Sequence, residues 1–190
     1  TGLDYTLRFE LLPFGNFTGH GDYSEADLVR EKTPKLALGL TFDFNNNAVK
    51  SNGQQGKVLD QHANLRSIFA DAMFKYNGFS MMTEYVNRNA TDIFYDPLDS
   101  PGSYRNEFYI GNAFNSQIGY LFKNNFEIAT RYTYINPLKF TKYRDIAEYT
   151  LGISKYISGH RIKIQSDFSL LQEENKENYF RYRLQLELGI

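Results

Sequence analysis

The chain has 190 residues, 42% hydrophobic and 23% charged, with a net charge of −1 and a mean hydropathy of −0.51. The sequence holds no cysteine, which excludes disulfide frameworks, zinc–thiolate sites and cysteine nucleophiles, and its balanced charge leaves no basic footprint for nucleic acid. No run approaches the ~20 consecutive apolar residues of a membrane-spanning helix, but a transmembrane β-barrel remains open, because its strands alternate apolar and polar residues and look soluble on average.

Taken in chain order, the segments alternate with period 2, the mark of a strand with one apolar face. Segment 2–12 sets Leu3, Tyr5, Leu7, Phe9 and Leu11 against Asp4, Thr6, Arg8 and Glu10. Residues 13–34, PFGNFTGHGDYSEADLVREKTP, form a long connection whose acidic–basic run (Glu25, Asp27, Arg30, Glu31, Lys32) is expected to make a short helical or ordered turn. Segment 35–45 places Leu36, Leu38, Leu40, Phe42 and Phe44 on one face. Segments 65–76 and 79–88 meet at Tyr76-Asn77-Gly78, 114–122 and 126–135 at Lys123-Asn124-Asn125, and 147–157 and 160–170 at Ser158-Gly159. Asn and Gly are the residues that tight hairpins demand. The last segment, 179–190, is the strictest: Phe180, Tyr182, Leu184, Leu186, Leu188 and Ile190 alternate with Arg181, Arg183, Gln185, Glu187 and Gly189.

Most of these nine segments approach the ~9–11 residues of a tilted strand crossing a bilayer. Between the tight turns lie long polar stretches at 46–64, 89–113, 136–146 and 171–178. Short turns at one end and long loops at the other are the pattern of an outer-membrane barrel; by parity the long 13–34 connection falls at the short-turn end. Aromatic residues gather near segment ends, as in interfacial girdles. A single-chain bacterial barrel has an even number of strands, so nine segments predict a single β-barrel domain over 1–190 that is the C-terminal part of a larger barrel, with upstream strands expected before Thr1. The alternative is a complete eight-stranded barrel, with the miscount at 65–76 or 114–122, where alternation is poorest. Parity alone also leaves open a soluble barrel with the same period and the opposite sense.

Three stretches resemble the phosphate-selective porin O/P family in a form like those of Bacteroidetes: GDYSEADLVREKTPKLALGLTFDFN (21–45), GYLFKNNFEIATRYTYINP (119–137) and EYTLGISKYISGHRIKIQSDFSLLQEE (148–174). The terminal YFRYRLQLELGI is similar to an outer-membrane closing strand, although it ends in Ile190 instead of an aromatic residue. The resemblance implies an all-β transmembrane antiparallel barrel of 16 or more strands, often trimeric, in the outer membrane of a Gram-negative bacterium and passing small anions. It also implies a long acidic–basic turn where 13–34 stands.

A pore acts through its inward face. Parity puts Arg8, Lys35, Lys75, Arg88, Arg131, Arg161, Lys163, Arg181 and Arg183 on that face, against Asp4, Glu10, Asp43, Asp71, Glu84, Glu127, Glu148, Asp167 and Glu187. These are nine bases and nine acids, with no basic excess. Lys155 is the main charge on the other face, near a strand end where its stem can snorkel. Two groups are the candidates for anion contact: a ladder of Arg131, Lys163, Arg181 and Arg183, and the loop bases Lys139, Lys142 and Arg144. Arginine suits phosphate because its planar fork donates in parallel; the competing expectation is that these bases pair with inward acids across strands. His20, His62 and His160 are scattered and predict no metal site, and no nucleophile elbow or triad is suggested. The expected function is passive diffusion of small anionic or polar solutes such as phosphate, with no cofactor and no chemical step. The alternative is a structural or interaction barrel in an outer-membrane assembly, with a blocked lumen.

Overall fold

The computed structural model describes residues 2–23, 26–52, 54–91, 108–139, 141, 143–159 and 161–189. Among these residues nine antiparallel strands form one sheet in which each strand pairs with its chain neighbours: β1 (Asp4–Leu11), β2 (Lys35–Lys50), β3 (Val58–Tyr76), β4 (Phe79–Thr91), β5 (Gly111–Leu121), β6 (Phe126–Pro137), β7 (Ile146–Ser158), β8 (Ile162–Glu173) and β9 (Tyr179–Leu188). A 3-10 turn at Thr18–Tyr23 lies in the β1–β2 connection. Both segments, 65–76 and 114–122, are strands, so neither is a miscount.

The tight turns form as the sequence predicts. Asn77 and Gly78 take φ of 50° and 87°, Asn125 takes 62° and Gly159 takes 53°, the left-handed conformations that Asn and Gly tolerate. The stretch 46–64 differs from expectation. Instead of a long loop, β2 runs on to Lys50 and β3 starts at Val58. The polar run Asn45-Asn46-Asn47 stays in the ladder because a bulge absorbs it: the register shifts between Asn45 and Ala48, with Asn47 at φ 52°. Asn46 N–H also donates to Leu3 C=O at 2.9 Å.

The register puts most of the large apolar residues on one side. One row across the sheet reads Met81–Ile118–Thr130–Leu151–Phe168–Tyr182. This face is open: Leu7, Ile118, Leu151 and Leu184 are exposed, Leu151 by 58%. The polar face is the covered one, with Ser67, Lys75, Glu127, Asp167 and Ser169 all buried. Only two small apolar clusters are buried among the described residues. Ala48, Leu59, Ala63, Leu65, Phe108 and Ile110 pack at the long-loop end, and Ala26, Leu121 and Tyr156 at the short-turn end. Burial is therefore inverted relative to a protein folded in water. Ten exposed side chains such as Leu184 forgo about 20 kcal/mol at ~2 kcal/mol each, more than the roughly 5–15 kcal/mol net stability of a typical domain.

Aromatic residues on the apolar face fall into two groups. Phe74 and Phe79 (ring centroids 6.0 Å) and Tyr120 and Phe122 (5.1 Å) sit at the short-turn end. Phe114, Tyr132 and Tyr149 form a chain further up the strands, with Tyr132 and Tyr149 5.0 Å apart. Charge on this face lies near its ends. Lys155 donates to Asn124 C=O at 2.6 Å beside a tight turn. Arg66, which parity reasoning passed over, sits at the other end, 5.7 Å over the Phe44 ring.

Candidate functional site: the polar face and its inner segment

The polar face of β5–β9 lines a hollow of about 800 Å³, closed on one side by residues of the β1–β2 connection. Its strand lining includes Gln117, Glu127, Arg131, Thr150, Lys163, Asp167, Arg183 and Glu187, and its opposite lining includes Thr18, Ala26, Leu28 and Val29. The β1–β2 connection thus folds inward over the sheet instead of projecting from its end. It lies at the short-turn end, as parity predicts, and its first part is an ordered 3-10 turn.

Four sets of hydrogen bonds seat that segment. Asp27, 1% exposed, accepts Glu31 N–H at 3.0 Å and Gly78 N–H at 2.8 Å, the second being the apex of the β3–β4 turn. Glu31 C=O accepts Asn77 N–H at 2.8 Å. Arg30 donates to Phe122 C=O at 2.6 Å and to Asn125 Oδ1 at 3.0 Å, gripping the β5–β6 turn. Lys75 Nζ, on β3, donates to the carbonyls of Gly21 at 2.5 Å and Ala26 at 3.0 Å. Glu31 closes the segment on itself by accepting Thr18 Oγ1–H at 2.9 Å. Asp27→Ala strips a buried acceptor from Glu31 and Gly78 N–H at once, and each unsatisfied group costs about 1–3 kcal/mol. The variant is expected to lose roughly 2–5 kcal/mol of stability, read by urea titration of the folded protein; a loss within about 0.5 kcal/mol of wild type, the range of ordinary surface changes, counts against this anchor.

All four ladder residues lie on the polar face, and each meets an acid. Arg181 approaches Glu148 Oε1 at 2.6 Å, and Arg131 approaches the same oxygen at 3.7 Å. Arg183 Nε donates to Asp167 Oδ1 at 2.9 Å, and Lys163 lies 3.3 Å from Glu187. Cross-strand pairing, the competing expectation, describes these bases as they stand. Glu148, which sequence reasoning counted but did not single out, is the hub: it also accepts Thr150 Oγ1–H at 3.1 Å. Across the sheet, Arg8 makes a two-pronged contact with Asp71 at 2.7 and 3.0 Å, spanning β2 from β1 to β3. The parity of β1–β3 carried the signal for that bridge.

The loop group is less concentrated. Lys139 and Arg144 are exposed between β6 and β7, and Arg144 contacts Glu174 C=O at 3.4 Å. Lys142 lies outside the described residues, as do His160 and most of the 89–113 loop. Among the described residues no group of His, Cys, Asp or Glu is arranged to hold a metal ion. A second, smaller cavity of about 270 Å³ lies on the polar face of β1–β4, beneath the β2–β3 loop.

Comparison with known proteins returns nothing to set beside this geometry: no family model, no curated protein and no solved structure matches the chain.

Proposed function

We propose that the sheet is an arc of an outer-membrane β-barrel, and that the barrel is a porin passing small polar and anionic solutes, phosphate among them, by passive diffusion. The inversion of burial carries this reading. Apolar side chains cover the open face while Asp167, Glu127 and Ser169 are buried on the other, an arrangement that water penalises and a bilayer around a wet lumen rewards. On β2, the outward run Leu36–Phe44 covers nine residues, eight steps or about 26 Å at ~3.3 Å per residue, which at a tilt of ~40° covers about 20 Å of an apolar band ~25 Å tall. The two aromatic groups fit its interfaces. The likeness of 21–45, 119–137 and 148–174 to phosphate-selective porins points the same way.

The edges support an arc in place of a finished ring. β1 and β9 each pair with a single neighbour, and in a nine-stranded antiparallel sheet they run in the same direction. Antiparallel closure therefore takes an odd number of further strands; roughly seven complete a 16-stranded porin.

Solute passage follows from field and width. Ion pairs such as Arg183–Asp167 keep the wall wet and nearly neutral, so the channel favours anions only weakly and lets a solute leave each contact easily. Planar-bilayer recording on the full-length protein tests this. Discrete conductance steps with modest anion preference are expected, and silence across repeated insertions would overturn the reading. The second reading, a structural barrel with a blocked lumen, draws on the seating of the β1–β2 segment over the polar face. It predicts silence together with a stoichiometric partner in native membranes.

A further inference from the structure

The cavity on the polar face of β1–β4 has a composition unlike the rest of the wall. Its sides carry two carboxylates, Asp4 and Asp43, with Thr6, Asn45 and Arg88. The β2–β3 loop folds over it, held by Ser51 N–H to Lys57 C=O at 3.0 Å and Asn52 N–H to Gln55 C=O at 3.1 Å, and contributes the amides of Asn52, Gln54 and Gln55. Gln54 Nε2 donates to Asp4 Oδ2 at 2.8 Å, tying the loop to the edge strand. Thr6 Oγ1–H donates to Asp43 Oδ2 at 3.0 Å.

The floor is apolar. Leu65 and Phe69 occupy polar-face positions of β3, where the alternation calls for polar residues. Leu65 belongs to the neighbouring apolar cluster. Phe69 does not, and a half-buried ring on a wet wall calls for a partner.

We propose that this cavity binds one small neutral polyol, the chemistry of a single monosaccharide ring. The proposal rests on reading the polar face as the wall of a water-filled lumen. A polyol presents hydroxyls that both donate and accept, and C–H faces that pack on aromatic carbon. Carboxylates accept only, amides do both, and guanidinium donates, so the walls match hydroxyls of either sense. The negative face of the Phe69 ring suits the slightly positive C–H groups above it. Two carboxylates against one arginine disfavour an anion. The amide donors and Arg88 disfavour a bare cation. A volume of about 270 Å³ falls just below the ~300–1,000 Å³ of drug-sized sites, which leaves room for one ring and not for a chain.

The test uses the full-length protein in lipid nanodiscs, with glucose as the probe, saturation-transfer NMR as the readout and calcium chloride as the competitor. Saturable binding with a Kd on the order of millimolar is expected. Phe69→Ala and Asp43→Asn should each weaken it about tenfold, the scale of one lost hydrogen bond or packing contact. Phe69→Tyr keeps the platform and should bind as wild type does, which separates loss of the site from loss of the fold. No saturable transfer, or unchanged binding in both weakening variants, overturns the site. Calcium binding that excludes glucose overturns the polyol assignment. Conductance is recorded on the same preparation: conductance without glucose binding overturns this site and leaves the channel standing, whereas glucose binding without conductance overturns the channel and leaves the site.

Discussion

Leu151→Arg is expected to cost the folded protein about 2–4 kcal/mol in a bilayer, the scale measured for a basic residue at mid-depth on a barrel's lipid face. Leu151 sits in the middle of the open apolar face, on β7, in the row Ile118–Thr130–Leu151–Phe168, and is 58% exposed. In water an arginine at such an exposed position changes stability by no more than about 0.5 kcal/mol and improves solubility. The sign and size of this one substitution therefore separate a lipid-facing sheet from a water-facing one. Urea titration of protein folded into vesicles gives the number; a change within about 0.5 kcal/mol would sink the membrane assignment. Lys155 shows how the same face accommodates charge near its rim. Its ammonium reaches Asn124 C=O and lies 4.3 Å over the Phe126 ring, so Lys155→Leu should be close to neutral.

If the proposed porin reading holds, Glu148→Gln is expected to move its selectivity toward anions. Glu148 contacts two arginines, Arg181 at 2.6 Å and Arg131 at 3.7 Å, so its loss adds one net positive charge to the wall. One unit charge about 8 Å from the solute path, in water-like dielectric, is worth about 0.5 kcal/mol. That is about twofold in favour of an anion and about twofold against a cation, so the anion-to-cation permeability ratio should rise about fourfold. The shift should shrink as salt is raised, because the Debye length falls to about 3 Å at 1 M. Reversal potentials in a salt gradient measure it; a ratio unchanged at low salt would mean that the Glu148 group lies off the solute path. Asp167→Asn, which unpairs Arg183, should act in the same direction with a similar effect, because it too removes one negative charge from the wall.

Much of the fold was legible because period-2 alternation survives in single residues. Phe180 to Leu188 on β9 and Leu36 to Phe44 on β2 set the faces without ambiguity, and Asn77-Gly78 marks a turn by its backbone requirement alone. The β2–β3 hairpin was misjudged because polarity stood in for irregularity: Asn45-Asn46-Asn47 reads as loop, but a strand continues by backbone pairing, which polar residues make as well as apolar ones. Which way the 13–34 connection points was illegible for a different reason. Asp27 and Arg30 find their partners in Gly78, Phe122 and Asn125, on two other turns, and nothing in local composition encodes that meeting. The ladder bases were found, but their neutralisation depends on which acid stands opposite in register, and register is fixed only once all nine strands are aligned. The small cavity announced itself faintly, in a phenylalanine at position 69 where the pattern asks for a polar residue.

The seating of the β1–β2 segment carries a consequence for the order of folding. Every strand pairs with its neighbour in sequence, so the sheet can grow hairpin by hairpin, and even its longer connections add little closure entropy, which rises only slowly with loop length. The segment's anchors are of another kind. Asp27 reaches Gly78 across 51 residues, and Arg30 reaches Phe122 across 92. Neither target turn exists until β3–β4 and β5–β6 have formed. The segment must therefore dock after the strands that follow it in the chain, as a late kinetic event, and mutations at Asp27 or Arg30 should mainly accelerate unfolding and barely slow folding.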